Sequence, residues 1–287
     1  MIRARRYWAK LRRESHPFRL IFAQLLWRTK LCTLFRFRHN GFVLRFYPSA
    51  FSTVLWTDPD SPRDDEDFFA RYLRPGDVVV DVGANIGTLS LAASRSVATA
   101  GRVISAEPHP RTYRFLCGNL RLNGVRNVTA RNMALGRAPG TVRFSDAWSD
   151  DQNRVVADGA GVVVEMSTLD VLLAAQQRIH LLKIDVEGYE KMVLEGAGAV
   201  LGRTDTVYFE SFRGNFAQFG YRFRDVWRLL AARGFTTLRF VGRRRLATVS
   251  GDYESEICEN LVSVRSLGDF LARTGFYVED SERRASA

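Results

Sequence analysis

Runs of consecutive apolar residues alternate with segments of helical periodicity from about residue 64 onwards. Strands buried on both faces lack polar alternation, so this pattern predicts an α/β fold with a mainly parallel sheet covered by helices. The predicted strands lie near 78–82, 102–106, 127–131, 179–184, 205–210, 235–240 and 257–264. The predicted helices lie near 67–73, 86–96, 110–123, 188–200 and 221–233.

The chain before this region follows other patterns. Residues 35–46 alternate on both sides of Asn40-Gly41, which predicts a β-hairpin. Residues 1–30 are basic and contain clustered aromatic and aliphatic side chains. That composition suits a helix lying on an anionic membrane, and it equally suits a helix that packs its apolar side on the protein.

We therefore expect three parts: a basic N-terminal arm with its hairpin over residues 1–50, a main domain over 51–270 and a C-terminal tail over 271–287. Residues 137–168 are rich in glycine and alternate locally, which predicts an inserted hairpin beside the functional site. Trp148 belongs to this insertion. The last eight residues are polar, and we expect them to fray.

The net charge of +11 comes entirely from the arm. Residues 1–46 hold twelve of the 42 basic residues and one of the 31 acidic residues, so the rest of the chain is neutral. A nucleic-acid groove across the body is thereby disfavoured, because phosphate binding needs a basic face. Three widely spaced cysteines predict neither a disulfide framework nor a zinc site. They favour a reducing compartment, the cytoplasm, with peripheral membrane contact through residues 1–30 as an addition.

The segment 78–87 carries the first chemical signal. An apolar strand containing Asp81 runs into the small-residue turn Gly83-Ala84-Asn85-Ile-Gly87, and a helical pattern follows. In open α/β sheets, a turn at the carboxyl end of the first strand lies against nucleotide-like ligands. The two glycines remove side chains that would hold such a ligand away from the backbone.

Glu107 ends the next strand, twenty residues after Gly87. A carboxylate there can accept hydrogen bonds from both hydroxyls of a ribose. The turn lacks the G-x-G-x-x-G spacing that holds a pyrophosphate, so it suits S-adenosylmethionine better than a dinucleotide.

A third segment, Lys183-Ile-Asp185-Val-Glu187-Gly-Tyr-Glu190, ends a strand and opens a helix. Three charged side chains at the carboxyl end of a central strand are costly unless they face the cleft. They offer carboxylates and a cation where an acceptor hydroxyl and a sulfonium meet. A structural network of ion pairs is the alternative explanation.

Together with Asn119, Asn123, the segment 132–136 and the segment 167–170, these motifs resemble the FkbM family of S-adenosylmethionine-dependent methyltransferases over about residues 64–212. The resemblance implies a Rossmann-like class I sheet of seven strands, mostly parallel with an antiparallel strand near its end. It also implies O-methylation of a sugar, glycan, glycolipid or natural-product hydroxyl.

The resemblance also implies roles for individual residues. It assigns the methionine pocket to Asp81, Gly83, Ala84, Asn85 and Gly87. It assigns binding of the ribose to Glu107, and binding of the adenine to residues 132–135, including Asn132 and Ala134. Asp185 and Glu187, with Lys183 beside them, face the methyl group and the acceptor. Glu66 and Glu210 are second-tier candidates for the same end of the site.

We expect direct in-line transfer, with Asp185 as first choice to accept the hydroxyl proton and Glu187 next. The sequence shows no paired histidines, so we expect no metal and activity that survives a chelator. Two other functions stay open: a Rossmann-type NAD-dependent oxidoreductase, and a membrane- or RNA-associated binding module with a vestigial cofactor pocket.

Overall fold

A computed structural model describes residues 17–29, 31–59, 64–145, 155–156 and 161–279. The predicted hairpin is confirmed, with Asn40 and Gly41 at its turn at φ 45° and 80°. The N-terminal elements are α1 (Pro17–Arg28), a 3₁₀ turn (Leu31–Leu34), β1 (Arg36–His39), β2 (Phe42–Arg45), α2 (Ala50–Thr57) and α3 (Asp64–Tyr72).

The alternation of strands and helices predicted for the first half of the domain is confirmed. Its elements are β3 (Val78–Val82), α4 (Thr88–Val97), β4 (Arg102–Ala106), α5 (Pro110–Leu122) and β5 (Val128–Arg131). The next elements are β6 (Ala134–Leu135), β7 (Gly140–Phe144), β8 (Val155–Val156), β9 (Val162–Ser167), α6 (Leu169–Leu172), β10 (Ile179–Ile184), α7 (Glu190–Glu195), α8 (Gly198–Leu201) and β11 (Thr204–Ser211). The last are α9 (Arg213–Gln218), α10 (Phe223–Ala231), β12 (Thr236–Gly242), β13 (Arg245–Thr248), β14 (Glu259–Val264), α11 (Leu267–Thr274) and β15 (Tyr277–Val278).

The helix predicted over 188–200 is two short helices, α7 and α8, separated at Gly196. A Cβ at residue 196 would lie 2.0 Å from the carbonyl oxygen of Gly136. The chain therefore needs glycine where it passes residue 136, and the continuous apolar pattern does not reveal that contact.

The central sheet has the strand order β15-β13-β12-β14-β11-β10-β3-β4-β5 among the described residues. Strands β5, β4, β3, β10 and β11 are mutually parallel, and β14 runs antiparallel between β11 and β12. The predicted mostly parallel sheet with an antiparallel strand near its end is thus confirmed. Seven of these strands match the expectation, and β13 and β15 extend the sheet at one edge.

The insertion predicted over 137–168 contains the expected antiparallel pair, β7 with β9. It belongs to a second sheet of order β6-β9-β7-β8. Trp148 lies outside the described residues.

The boundaries expected near residues 50 and 270 do not coincide with breaks in packing. Leu44 and Phe46 of the hairpin are buried in one cluster with Leu91 and Leu116 of the main domain. Asn119 of α5 accepts a hydrogen bond from the backbone of Arg45 and donates to the carbonyl of residue 86. At the other end, β15 pairs with β13, so residues up to 279 belong to the fold, and the final eight residues lie outside the described ones.

The arm contains the predicted helix, α1. Its buried side chains, Leu20, Ala23 and Leu26, face the protein, as the packing alternative predicts. Other apolar side chains of α1 stay exposed. Within the described residues, no helix is both long and apolar enough to span a bilayer.

Candidate functional site

A cavity of about 270 Å³ lies at the carboxyl ends of the parallel strands. This is the edge at which open α/β sheets bind ligands. Its walls include residues 83–85 after β3, residues 106–108 after β4, residues 133–135, residues 185–187 after β10, and Glu210. The topology therefore brings the three sequence signals to one place.

The turn after β3 has left-handed backbone at Gly83, Asn85 and Gly87, with φ of 77°, 48° and 92°. The packing of the protein itself requires glycine at two of these positions, a reason that the sequence pattern did not show. A Cβ at Gly83 would lie 1.8 Å from the carbonyl oxygen of Asp185, and one at Gly87 would lie 2.5 Å from Leu116. Gly83, Ala84 and Asn85 line the cavity, whereas Gly87 begins α4 just outside it.

Glu107, the residue expected to bind the ribose, is buried in the cavity wall. Its two carboxylate oxygens accept hydrogen bonds from the backbone N–H groups of Asn85 and His109, at 2.9 and 3.0 Å. These bonds fix the carboxylate between the two loops. A carboxylate oxygen has two lone pairs and can accept more than one hydrogen bond.

The side of the cavity expected to hold the adenine is formed by Met133, Ala134 and Leu135. Asn132, predicted at the same place, is exposed and lies outside the cavity lining. Its amide nitrogen donates to the carbonyl oxygens of Glu107 and Pro108, at 2.9 and 2.8 Å. Asn132 therefore holds the loop that contains Glu107 in position.

Lys183 is the central cation under the site. Its Nζ lies 3.1 Å from Asp81 Oδ1, 3.5 Å from Asp185 Oδ2, and 2.8 Å from the carbonyl oxygen of Gly83. Burial alone lowers the pKa of Lys183, but the two carboxylates outweigh it and raise the pKa above the ordinary value. Lys183 thus stays charged, and a charged ammonium cannot accept a proton.

Asp81 does not reach the cavity lining. It is fully buried, with Oδ2 accepting from Ser90 Oγ at 2.6 Å and Oδ1 facing Lys183. Together, Asp81 and Lys183 support the turn from below.

Asp185, Glu187 and Glu210 form an acidic cluster at the other end of the cavity, with one oxygen of each within 4.8 Å of the others. Burial and the neighbouring carboxylates raise the pKa of Glu187 to about 8 and that of Glu210 to about 7. Asn215 Nδ2 donates to both of these glutamates. Near neutral pH, this end of the cavity therefore retains protons on carboxyl groups.

Glu190, the last acid of the third motif, is structural. Its Oε1 accepts from the backbone N–H groups of Val186 and Gly188, and its Oε2 accepts from the Tyr221 hydroxyl. These bonds hold Glu187 at φ 54°, a backbone conformation that is rare for glutamate.

Two acidic cavity residues come from helix α3 of the N-terminal region. Asp65, which the sequence interpretation missed, accepts from the Tyr208 hydroxyl and from Asn260 Nδ2, and burial raises its pKa. Glu66, the second-tier candidate, lies beside it in the cavity wall. The four consecutive acidic residues at the start of α3 are visible in the sequence. They lie far along the chain from the other site residues, so the sequence did not show that they reach the cavity.

Glu66 is held by the hairpin. His39 Nε2 lies 2.8 Å from Glu66 Oε1, and Asn40 Nδ2 donates to Glu66 Oε2 at 2.6 Å. The other ring nitrogen of His39 lies 2.7 Å from the carbonyl oxygen of Pro59, to which it can only donate. His39 of the hairpin thus positions a residue of the site.

The cavity fits an adenosyl sulfonium on two observations. Asn85 Oδ1 is buried beside the turn with no hydrogen-bond partner among the described residues. Apolar side chains on the Glu107 side offer a wall for a base, and carboxylates at the opposite end suit a cation. The three-acid cluster also has the oxygen ligands that hard cations prefer.

Residues 81–237 match a family model described as the methyltransferase FkbM domain. Methyltransferase 1 of Beauveria bassiana is 29% identical over 143 residues, which are 41% of this chain and 57% of that protein. The chain thus spans little more than half the length of this relative. Hexuronic acid methyltransferase AglP of Haloferax volcanii is 27% identical over 182 residues, which are 61% of this chain and 73% of that protein. A solved S-adenosylmethionine-dependent methyltransferase from Aquifex aeolicus aligns with a TM-score of 0.43 and 13% identity, over 77% of this chain and 100% of that chain.

Proposed function

Since this chain belongs to the FkbM methyltransferase family, we propose that it is an S-adenosylmethionine-dependent O-methyltransferase. We propose further that its acceptor is a hydroxyl of a sugar, a glycan, a glycolipid or a natural product. The observation that carries the proposal is the two-ended cavity, with Glu107 at one end and Asp185 at the other.

In this proposal, Glu107 and the backbone of residues 83–85 hold the donor. When bound, S-adenosylmethionine supplies a methyl group already activated by its sulfonium. Asp185, whose carboxylate is 39% exposed to the cavity, takes the acceptor proton. Glu187 is a poorer resting acceptor near pH 7, because its raised pKa leaves it largely protonated, and Glu210 is about half protonated there.

The surroundings of Asp185 favour a neutral acceptor group. Asp65, Glu66, Glu187 and Glu210 line the same end of the cavity, and Lys183 is committed to Asp81 and Asp185. A carboxylate or phosphate placed there would lie among acidic side chains, with no uncommitted cation among the described lining residues. We therefore propose that the reacting hydroxyl belongs to a neutral polyol, even though the printed name of one relative indicates a hexuronic acid acceptor.

The test combines ligand binding with turnover. S-adenosylhomocysteine at about 100 times its dissociation constant should stabilise the protein by about 2.7 kcal/mol, whereas NAD should leave its melting temperature unchanged. Mass spectrometry of cell extract incubated with isotope-labelled donor should then reveal a labelled methyl ether. Stabilisation by NAD alone would favour the oxidoreductase, and donor binding without any methylated product would favour the binding module.

A further inference from the structure

The outer side of α1 is an apolar surface that the fold does not use. Phe18, Ile21, Phe22 and Leu25 follow one another at helical spacing and are exposed, Phe18 by 83% and Leu25 by 57%. The opposite side of the helix already packs on the protein through Leu20, Ala23 and Leu26. The outer side chains therefore do not contribute to packing in the core.

The surface continues beyond the helix. Leu31, Leu34 and Phe35 are also exposed, and the rings of Phe22 and Phe35 meet edge to face at 6.2 Å. We call these seven side chains the α1 surface. A contiguous set of large apolar side chains is uncommon on the surface of a soluble protein, and it marks an interaction site.

The basic residues near the α1 surface indicate what kind of partner it binds. Arg28, Arg36 and Arg38 are exposed and lie close in sequence to the α1 surface, and no acidic residue occurs in the sequence between residues 15 and 57. Aromatic and aliphatic side chains bordered by arginines combine burial in acyl chains with attraction to anionic headgroups. An acidic protein groove would satisfy the arginines, but it would not require seven apolar side chains.

We propose that the α1 surface docks on a membrane that contains anionic lipids. Helix α2 packs against α1 and also supplies Phe51 to the cavity wall, so one element lies between the docking surface and the site. The proposal is independent of the reaction. It gives a glycolipid acceptor a physical route to the cavity if the proposed function holds.

The test uses the full chain and sedimentation with vesicles, one preparation of phosphatidylcholine alone and one of equal amounts of phosphatidylcholine and phosphatidylglycerol. We expect binding to the anionic vesicles that weakens with added salt. The double variant Phe18→Ser with Leu25→Ser should bind at least about tenfold more weakly, since it removes two membrane-buried side chains. The control, Val163→Ser with Val171→Ser, alters two valines that are 57% and 60% exposed on other elements, and it should bind normally. Circular dichroism and thermal melting verify that both variants fold.

Four results would overturn the proposal. The full chain does not bind anionic vesicles, or the control variant loses binding as much as the α1 variant. Binding appears only after residues 1–16 are deleted, in which case that segment of the chain occupies the surface. Light scattering shows a dimer that the α1 variant dissociates while vesicles are not bound, in which case a second copy is the partner.

Discussion

Asp81 and Lys183 lie directly opposite each other on the adjacent parallel strands β3 and β10, with Oδ1 and Nζ 3.1 Å apart. The pair is almost completely buried. It links the turn that precedes α4 to the acidic strand end that carries Asp185. Both halves of the proposed site thus depend on one ion pair in the centre of the sheet.

Replacing one member of this pair should destabilise the protein. The change Asp81→Asn leaves the Lys183 ammonium buried beside a neutral amide, and we expect a loss of about 3 kcal/mol or more in the free energy of unfolding. Denaturant unfolding measures it. Glu256→Gln is the control, because its partner Arg213 is largely exposed, and it should cost less than about 1 kcal/mol. Equal losses in the two variants would contradict a buried, charged pair.

Measurements of turnover should distinguish the role of Asp185 from that of Glu187. We expect Asp185→Asn to lower kcat by about 10²–10⁴-fold while S-adenosylhomocysteine binds almost as before, because the variant loses the proton acceptor and keeps the turn. Glu187→Gln should have little effect at about pH 6.5, where Glu187 is already protonated given its pKa of about 8. Steady-state kinetics measures kcat, and calorimetry measures the binding of S-adenosylhomocysteine. Unchanged turnover in the Asp185 variant would remove this residue from the reaction.

Glu107→Gln should weaken binding of S-adenosylhomocysteine by about 10- to 150-fold, which corresponds to one lost charged hydrogen bond of about 1.5–3 kcal/mol. Calorimetry measures the affinity. Part of any loss could come from the turn, since Glu107 also accepts from Asn85 and His109. The 2′-deoxyribose analogue of the ligand is the control: if Glu107 binds the ribose, the penalty of the variant should shrink with this analogue. An identical penalty for both ligands would contradict ribose binding.

Stability should fall as the pH rises. The pKa values of Glu187 and Glu210 in the folded protein are about 8 and about 7, above their ordinary value of 4.5. Folding therefore favours the protonated forms. The stability that they contribute is complete below about pH 4.5 and is lost as the pH passes through 7 and 8.

We expect unfolding free energies measured in denaturant to decline between about pH 5 and about pH 9, and to decline less in Glu187→Gln. Buried Glu190, whose pKa is also about 8, should maintain part of the slope in that variant. The same slope in the variant and the native protein would show that Glu187 is not the group responsible.

Activity should survive removal of metal ions. Asp185, Glu187 and Glu210 are close enough to bind a divalent cation, but Asn215 and Cys258 already donate hydrogen bonds to the two glutamates. Dialysis against a chelator, followed by assay with and without added Mg²⁺, checks this expectation. Loss of activity that Mg²⁺ restores would instead assign the cluster to a metal.

The sequence by itself determined the elements and the donor end of the cavity. Buried parallel strands are continuous apolar runs, and left-handed turns select glycine and asparagine, so residues 78–87 and Glu107 could be identified from local pattern. These features are short in sequence, and their physical causes lie within a few residues of one another.

The tertiary structure alone decided the partners of each charged group. Strand order places Lys183 against Asp81, 102 positions earlier in the chain, and so decides which carboxylate pairs with this buried ammonium. It also buries Glu187 and Glu210 beside other carboxylates, which raises both pKa values, and it folds the hairpin so that His39 holds Glu66. Burial and electrostatic interaction depend on distance in space, and residue spacing does not specify that distance when whole strands and helices intervene.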